Sequence, residues 1–280
     1  MAVVGAGRMG AGLGLALSSR GYEVSHLVRS ERPVPEGTGR SLGMSEWRRT
    51  VAASQVLIVA TPDSAITPAA QLLRGLGTVT ASHIVLHLSG LHDRTALSPL
   101  LDTGAALGSL HPLQAVSDPG TAAARLAGAY AGVEGDARAI ECAERLARAA
   151  GMIPVRLLPA AKPGYHAAAA ITSNLTVALY SLALRVATEA GVPADDAGRM
   201  YLGLLRGTVE NLAAGSVTEA LTGAIRRGDA ETVRAHLRAL APRDRTIYRL
   251  LGIEALEVAR DAGLPEDAVS AVRQALEDGR

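Results

Sequence analysis

The apolar positions of this chain change their rhythm once, near residue 158. Before that point they come as short runs: Ala2 to Val4, Tyr22 to Val28, Val56 to Ala60, Ile84 to Leu88, Ala105 to Leu110, Tyr130 to Val133 and Ile153 to Leu157. Short apolar runs bounded by turn residues predict buried strands. Helical spacing separates some of them, from Arg8 to Arg20 and from Asp136 to Ala150. Strands alternating with helices predict a doubly wound, mainly parallel sheet. After Leu158 no strand-like run returns. The spacing there predicts helices over 163–190, 194–213, 218–227, 231–240, 243–262 and 266–277. Gly191, Pro193 and Gly263 serve as stops and Asp229 as an N-cap. The expected class is therefore α/β with a smaller all-α domain behind it, divided as 1–158 and 159–280. Glu31 to Gly43 is the only loose loop expected.

The first strand runs into Gly5-Ala6-Gly7-Arg8-Met9-Gly10, with a helix after it. This is G-x-G-x-x-G in the context that gives it meaning. Gly5 allows the tight turn, Gly7 lets backbone approach a pyrophosphate, and Gly10 lets helix and strand pack closely. The helix N-terminus then faces the phosphates. An acid about twenty residues on would hold the ribose 2′-hydroxyl of NAD. Here the second strand ends in Val28-Arg29-Ser30-Glu31-Arg32. Arg29, Ser30 and Arg32 suit a 2′-phosphate instead, so NADP is the expected cofactor. Glu31 dissents and is placed in the loop.

Ligands in such a sheet lie beyond the carboxyl ends of the strands. Thr61, Pro62 and Asp63 follow one of these ends and are expected beside the cofactor. Ser89-Gly90 and His111-Pro112 follow two others. His111 is read either as a histidine satisfied by backbone or as a cleft group. His83 and His87 are read as packing or surface residues, and His92 is at most a marginal cleft candidate.

Lysine and arginine total 28, and Lys162 is the only lysine. Arginine serves wherever a fixed charge is enough; a lysine can lose its proton once desolvated. Lys162 is therefore the candidate catalytic or substrate-binding amine. His166 and Ser173 share its helix face if the helix reaches back to Lys162; otherwise Lys162 sits at the cap. Asn174 is turned about a quarter of the circumference away.

Composition narrows the classes. A net charge of +1 gives no electrostatic case for nucleic acid or an anionic membrane. Aromatic residues are 2% of the chain, with no Phe, so stacking platforms for bases are not expected. Cys142 is the only cysteine, which excludes an internal disulfide and any multi-cysteine metal site. It lies in a helical pattern and is expected to be an inert core or half-buried thiol. The apolar runs look shorter than a membrane span and no signal peptide is read, so a soluble cytoplasmic protein is expected.

On GAGRMG, HLSG at Ser89, GSLHPLQ at His111, the Lys162–YHAAA–SN stretch and LTGAIRRGD from Leu221, the whole chain resembles a bacterial family. This is the Rossmann-like oxidoreductase-type family whose second half is a helical domain of unknown function. It is similar in architecture to 6-phosphogluconate dehydrogenase, ketopantoate reductase, pyrroline-5-carboxylate reductase and prephenate dehydrogenase. The resemblance implies a Rossmann domain, a nicotinamide cofactor, a 6-phosphogluconate dehydrogenase C-terminal-like helical domain and a homodimer. Lys162 is similar to the lysine of ketopantoate reductases and β-hydroxyacid dehydrogenases, but His166 stands in place of their asparagine. Ser89 and His111-Pro112 resemble the serine and His-Pro of prephenate dehydrogenases. Together these imply an NADP(H)-dependent oxidoreductase acting on a small carbonyl, imine or hydroxy acid between the domains. Lys162 would be proton donor or acceptor, His166 and His111 would position or share the proton, and Ser89 and Asn174 would bind substrate. The other class is an NADP(H)-binding sensor or partner protein without turnover.

Overall fold

The computed structural model describes residues 1–29 and 40–278. The chain forms two compact units, Met1–Ser173 and Asn174–Arg280.

The strands of the first unit are β1 (Ala2–Val4), β2 (Ser25–Leu27), β3 (Arg40–Leu42), β4 (Val56–Val59), β5 (Ile84–His87), β6 (Ala106–Pro112), β7 (Tyr130–Gly135) and β8 (Ile153–Arg156). They make one sheet in the order β3-β2-β1-β4-β5-β6-β7-β8. Every neighbouring pair is parallel except β6 with β7. The helices of this unit are α1 (Arg8–Ser18), α2 (Met44–Ala53), α3 (Ile66–Gly75), α4 (Ala122–Leu126), α5 (Ala137–Ala149) and α6 (Lys162–Ala170). Alternation along the strands divides the apolar residues between the two sheet faces. Val3, Ile58 and Leu86 join Leu13, Leu17 and Leu146 of α1 and α5 on one face. Val4, Leu57 and Val85 join Trp47, Val51 and Leu73 of α2 and α3 on the other. The expected α/β class with a mainly parallel sheet is the one that forms. Cys142 is buried on α5, as expected.

Several boundaries differ from expectation. The second strand is Ser25–Leu27 and not Tyr22 to Val28, because Gly21 still belongs to the turn that follows α1. Arg40–Leu42, expected in the loose loop, is an edge strand paired with β2. Its sequence carries a single apolar residue, so no run announced it. Residues 30–39, with Ser30, Glu31 and Arg32, lie outside the described residues. β6 runs on through His111 and Pro112, and β7 runs on through Glu134 and Gly135. Both lengthen because each gains an antiparallel partner in the other.

The first unit also runs past Leu158 to Ser173. Lys162 is the first residue of α6, with Ala161 as N-cap, so the cap alternative for Lys162 is not realised. The helix expected unbroken over 163–190 widens at Ile171–Leu175 into a π-helical turn before α7 (Thr176–Glu189). The helical stretch Pro159–Glu189 is long and apolar enough to cross a membrane, with a mean hydropathy of 1.5 over its best window. This corrects the expectation that every apolar run is shorter than a span.

The second unit continues with α8 (Ala194–Ala214), α9 (Val217–Ala220), α10 (Gly223–Arg226), α11 (Ala230–Ala239), α12 (Pro242–Asp261) and α13 (Glu266–Asp278). The single helix expected over 218–227 is two, because Gly223 has a φ of +90° and Leu221 is extended. Asp229 caps α11 through the backbone N–H of Thr232, as expected. Val233, Leu237, Leu256, Val272 and Leu276 form the core of this unit. Asp244, buried on α12, is held by Arg185 of α7.

Candidate functional site

β1 and β4 are neighbours while β2 lies on the other side of β1, so the chain reverses its winding between β1 and β4. The glycine turn sits at the carboxyl end of β1, at that switch point. Gly5 has a φ of +106°, and a Cβ there would come within 2.9 Å of the Ala60 carbonyl oxygen. The Gly5 amide donates to the Leu27 carbonyl at 2.9 Å, and a ring nitrogen of buried His26 lies 3.2 Å from the Gly5 carbonyl. A Cβ on Gly10 would meet that of Ala60 at 2.7 Å. Gly7 and Arg8 are exposed, and a Cβ on Gly7 would meet nothing within 4 Å. Gly7 is the N-cap of α1 and no side chain caps this end. No side chain therefore caps the first N–H groups of α1, as an anion site needs.

A cleft of about 210 Å³ opens beside this turn. Met9, Ala60, Thr61, Asp63, Leu88 and His111 line it, so residues after β1, β4 and β5 and the end of β6 meet there. The Thr61 hydroxyl is buried without a hydrogen-bond partner among the described residues. A bare helix N-terminus, an open Gly7 and an orphaned hydroxyl fit a phosphate-bearing dinucleotide. Ala6 continues the turn between Gly5 and Gly7, and Pro62 and Asp63 are exposed after β4. Arg29 is exposed just after β2, where a 2′-phosphate would be met.

The second cluster is built by the antiparallel pair. Residues two apart on a strand share a face, so Ser109 and His111 look the same way. Their partners across the ladder are Glu134 and Gly132. Lys162 enters this cluster from α6 and is fully buried. Its Nζ donates to the Ser89 carbonyl at 3.0 Å and to the Ser109 Oγ at 2.7 Å. These bonds use two of the three N–H donors of the ammonium. Burial pulls the Lys162 pKa from its ordinary value down to about 8, against the opposing pull of Glu134, Asp93 and Asp63. Burial raises the carboxyl of Glu134.

His111 sets its Nδ1 2.9 Å from the hydroxyl of Tyr165. Tyr165 reaches it over Gly132, where a Cβ would stand 3.1 Å from that hydroxyl. The ring of His166 lies edge-on to that of His111, with centroids 5.7 Å apart. Its Nδ1 is buried without a partner among the described residues. A Cβ on Gly90 would come within 2.5 Å of His166 Nδ1 and 2.8 Å of His111 Nε2, so Gly90 makes room for both rings. Burial, then the neighbouring His166 and Lys162, pull the His111 pKa down to about 4. Burial also brings His87 down to about 4. Both imidazoles are neutral near pH 7.

The structure thus gathers Lys162, His166, His111 and Ser89 into one cluster. The Ser89 hydroxyl is nearly enclosed and accepts the N–H groups of Leu91 and His92. Its carbonyl is what meets Lys162. His87, read as packing or surface, is buried and hydrogen-bonded to the Asp93 carbonyl and the Ser89 amide. Asn174 is exposed at the start of the second unit, and Ser173 is exposed at the end of the first. Sequence reasoning missed Ser109, Glu134 and Tyr165. A lone acid inside the otherwise apolar strand YAGVEG was the one signal for Glu134.

A doubly wound sheet, a glycine turn at its switch point and a helical second unit define a Rossmann-like protein. The domain matches agree: residues 1–112 match the Rossmann-like domain, and residues 129–255 match the domain of unknown function DUF2520. None of the curated proteins matches the chain. Among solved structures, the chain is similar to protein BF3122 of Bacteroides fragilis, described as a candidate NADP oxidoreductase. That match has 22% identity and a TM-score of 0.69, over 91% of this chain and 97% of the other. Protein TM1727 of Thermotoga maritima matches at 22% identity and a TM-score of 0.64, over 99% and 98%. An imine reductase of Myxococcus stipitatus, solved with NADP+, matches at 15% identity and a TM-score of 0.60, over 99% and 92%. At these identities the likeness is one of fold.

Proposed function

We propose that the protein is an NADP(H)-dependent oxidoreductase that moves a hydride between nicotinamide and a small carbonyl, imine or hydroxy acid. The observation that carries this reading is a single cleft lined by Met9 of the glycine turn and by His111. Gly5, Gly7 and Gly10 with the first turn of α1 would hold the pyrophosphate, and Thr61 and Asp63 would border the nicotinamide. The bound cofactor supplies or accepts the hydride, and the chain must handle the proton. Lys162 is the proton donor or acceptor in this reading, because its amine, at about 8, can be in either state near neutrality. It is enclosed, so its proton passes through a group that does face the cleft. His111 lines that cleft, Tyr165 fixes its ring, and His166 lies against it. The test is a screen of 2-oxo acids, cyclic imines and hydroxy acids, following NADPH absorbance. Substrate-dependent change at 340 nm is not required for cofactor binding, so the screen separates turnover from binding.

The second reading is an NADP(H)-binding sensor or partner protein without turnover: Lys162 does not line the cleft, although its burial and lowered pKa favour the enzyme. Tight NADPH binding with no active substrate in the screen would select it.

Cofactor choice follows from Arg29. A guanidinium at the end of β2 attracts a 2′-phosphate and offers nothing to a bare 2′-hydroxyl that an acid would not do better. NADPH is expected to bind more tightly than NADH, and Arg29→Asp to narrow that gap by about tenfold, the worth of one charge-assisted bond. Fluorescence titration measures both. Equal affinities in the parent protein would end this argument.

A homodimer is part of the proposal. Leu175, Val177, Met200, Leu204, Val209 and Leu212 are all exposed, on α7, on α8 and at the end of the turn before α7. Apolar surface of this kind marks a contact surface. Light scattering at micromolar concentration is expected to give twice the chain mass, and a monomer mass would count against the pairing.

A further inference from the structure

The hydrogen bonds of the buried Lys162 amine go to two neutral oxygens, a carbonyl and a hydroxyl. An enclosed ammonium is costly unless a counter-charge is within reach. Three acids act on it: Glu134 of β7, Asp93 beyond β5 and Asp63 beyond β4. Asp63 is exposed, and the Asp93 carboxylate is taken up by Thr95. Glu134 is only 2% exposed and sits opposite Ser109 in the β6–β7 ladder. The Ser109 hydroxyl lies 2.7 Å from the Lys162 Nζ and 3.4 Å from the Glu134 Oε2. The Arg94 amide donates to that same Oε2 at 2.9 Å and fixes it. The imidazoles around the amine belong to His87 on β5, His111 on β6 and His166 on its own helix, and the first two are neutral.

We infer that Ser109 and Glu134 are positioning residues for Lys162: the buried carboxylate, acting through the Ser109 hydroxyl, orients the amine and governs whether it carries its proton. This rests on reading Lys162 as a proton-transfer group. The proton balance closes within the three residues. The ammonium passes a proton to Ser109 Oγ as that hydroxyl passes its own to the Glu134 carboxylate. One N–H and one O–H bond break, one O–H bond forms on each oxygen, and a neutral amine and a carboxylic acid remain. No net charge enters or leaves the enclosed site. Burial moves Lys162 down and Glu134 up, the directions that bring the two states closer in energy.

Lys162 is the only lysine, so protein grown with ε-13C, ζ-15N-lysine gives one side-chain signal. Its pH titration by NMR reads this amine alone and needs no substrate. The parent midpoint is expected near about 8. Glu134→Gln keeps the shape and removes the counter-charge, and should lower the midpoint by about one unit or more. Ser109→Ala should lower it too, by breaking the link; it also serves if the glutamine variant does not fold. Midpoints that stay at the parent value in both variants would overturn the inference. Failure here is separable from failure of the proposed function. Unshifted midpoints with intact NADPH-dependent turnover remove only the inference. Shifted midpoints in a protein that turns over no substrate uphold the inference and remove only the catalytic reading.

Discussion

Lys162→Met is expected to cut NADPH-dependent turnover by about a hundred- to ten-thousand-fold, the usual contribution of a general acid–base group. Methionine keeps an unbranched side chain, one atom shorter than that of lysine, and fits an enclosed position. It removes the bonds to the Ser89 carbonyl and the Ser109 hydroxyl. Leaving those oxygens without a donor costs about 1–3 kcal/mol. The burden of burying an ammonium disappears at the same time, and replacing a buried charge by apolar volume is often neutral or stabilising. The variant should therefore fold, with a small net change in denaturation midpoint. Cofactor affinity should be unchanged, since in the proposed reading the phosphates would be held at Gly7 and the start of α1, not by α6. Arginine is a poorer test than methionine: it adds bulk where Lys162 has no exposed surface, and it cannot lose its proton. The kinetic split is informative. Loss in kcat with little change in KM supports proton transfer, whereas a raised KM with unchanged kcat would make Lys162 a substrate holder. Full activity would reduce it to a structural amine.

The enclosure of Lys162 also shows where sequence reading stops. The residue stood out in the sequence because it is one lysine among so many arginines. Its burial was not legible. The partners Ser89 and Ser109 lie 73 and 53 positions away and meet it only after the sheet has formed. Glu134 was missed for the same reason. Nothing local says that β7 runs antiparallel to β6, and that reversal alone places Glu134 opposite Ser109 and Gly132 opposite His111. The glycine turn was legible because its requirement is local: a strand before, a helix after, and small residues between. β3 escaped because Arg40–Leu42 has one apolar residue and gets its partner from β2. The π-helical turn at Ile171–Leu175 has neither Gly nor Pro to announce it.

Gly7→Ala tests the cofactor reading without touching the fold. Gly7 has φ −70° and ψ 173°, an extended conformation open to any residue. An added Cβ would meet no protein atom within 4 Å, and the position is exposed. Alanine is a slightly worse N-cap than glycine, so the stability cost should stay below about 1 kcal/mol. A dinucleotide changes the picture. The second glycine of the motif exists so that backbone can approach the pyrophosphate, and a methyl group there stands in the way. NADPH affinity is expected to fall by about ten- to a hundredfold, equivalent to about 1.4–2.8 kcal/mol. Gly5→Ala would not discriminate: its positive φ and its approach to the Ala60 carbonyl would distort the turn whether or not a cofactor binds. Titrating NADPH into the folded Gly7→Ala protein, alongside a thermal melt, reads both quantities. A normal melt with weakened binding assigns the turn to the cofactor. A normal melt with parental affinity would detach the turn from NADPH, and the hydride-transfer reading would lose the observation that carries it.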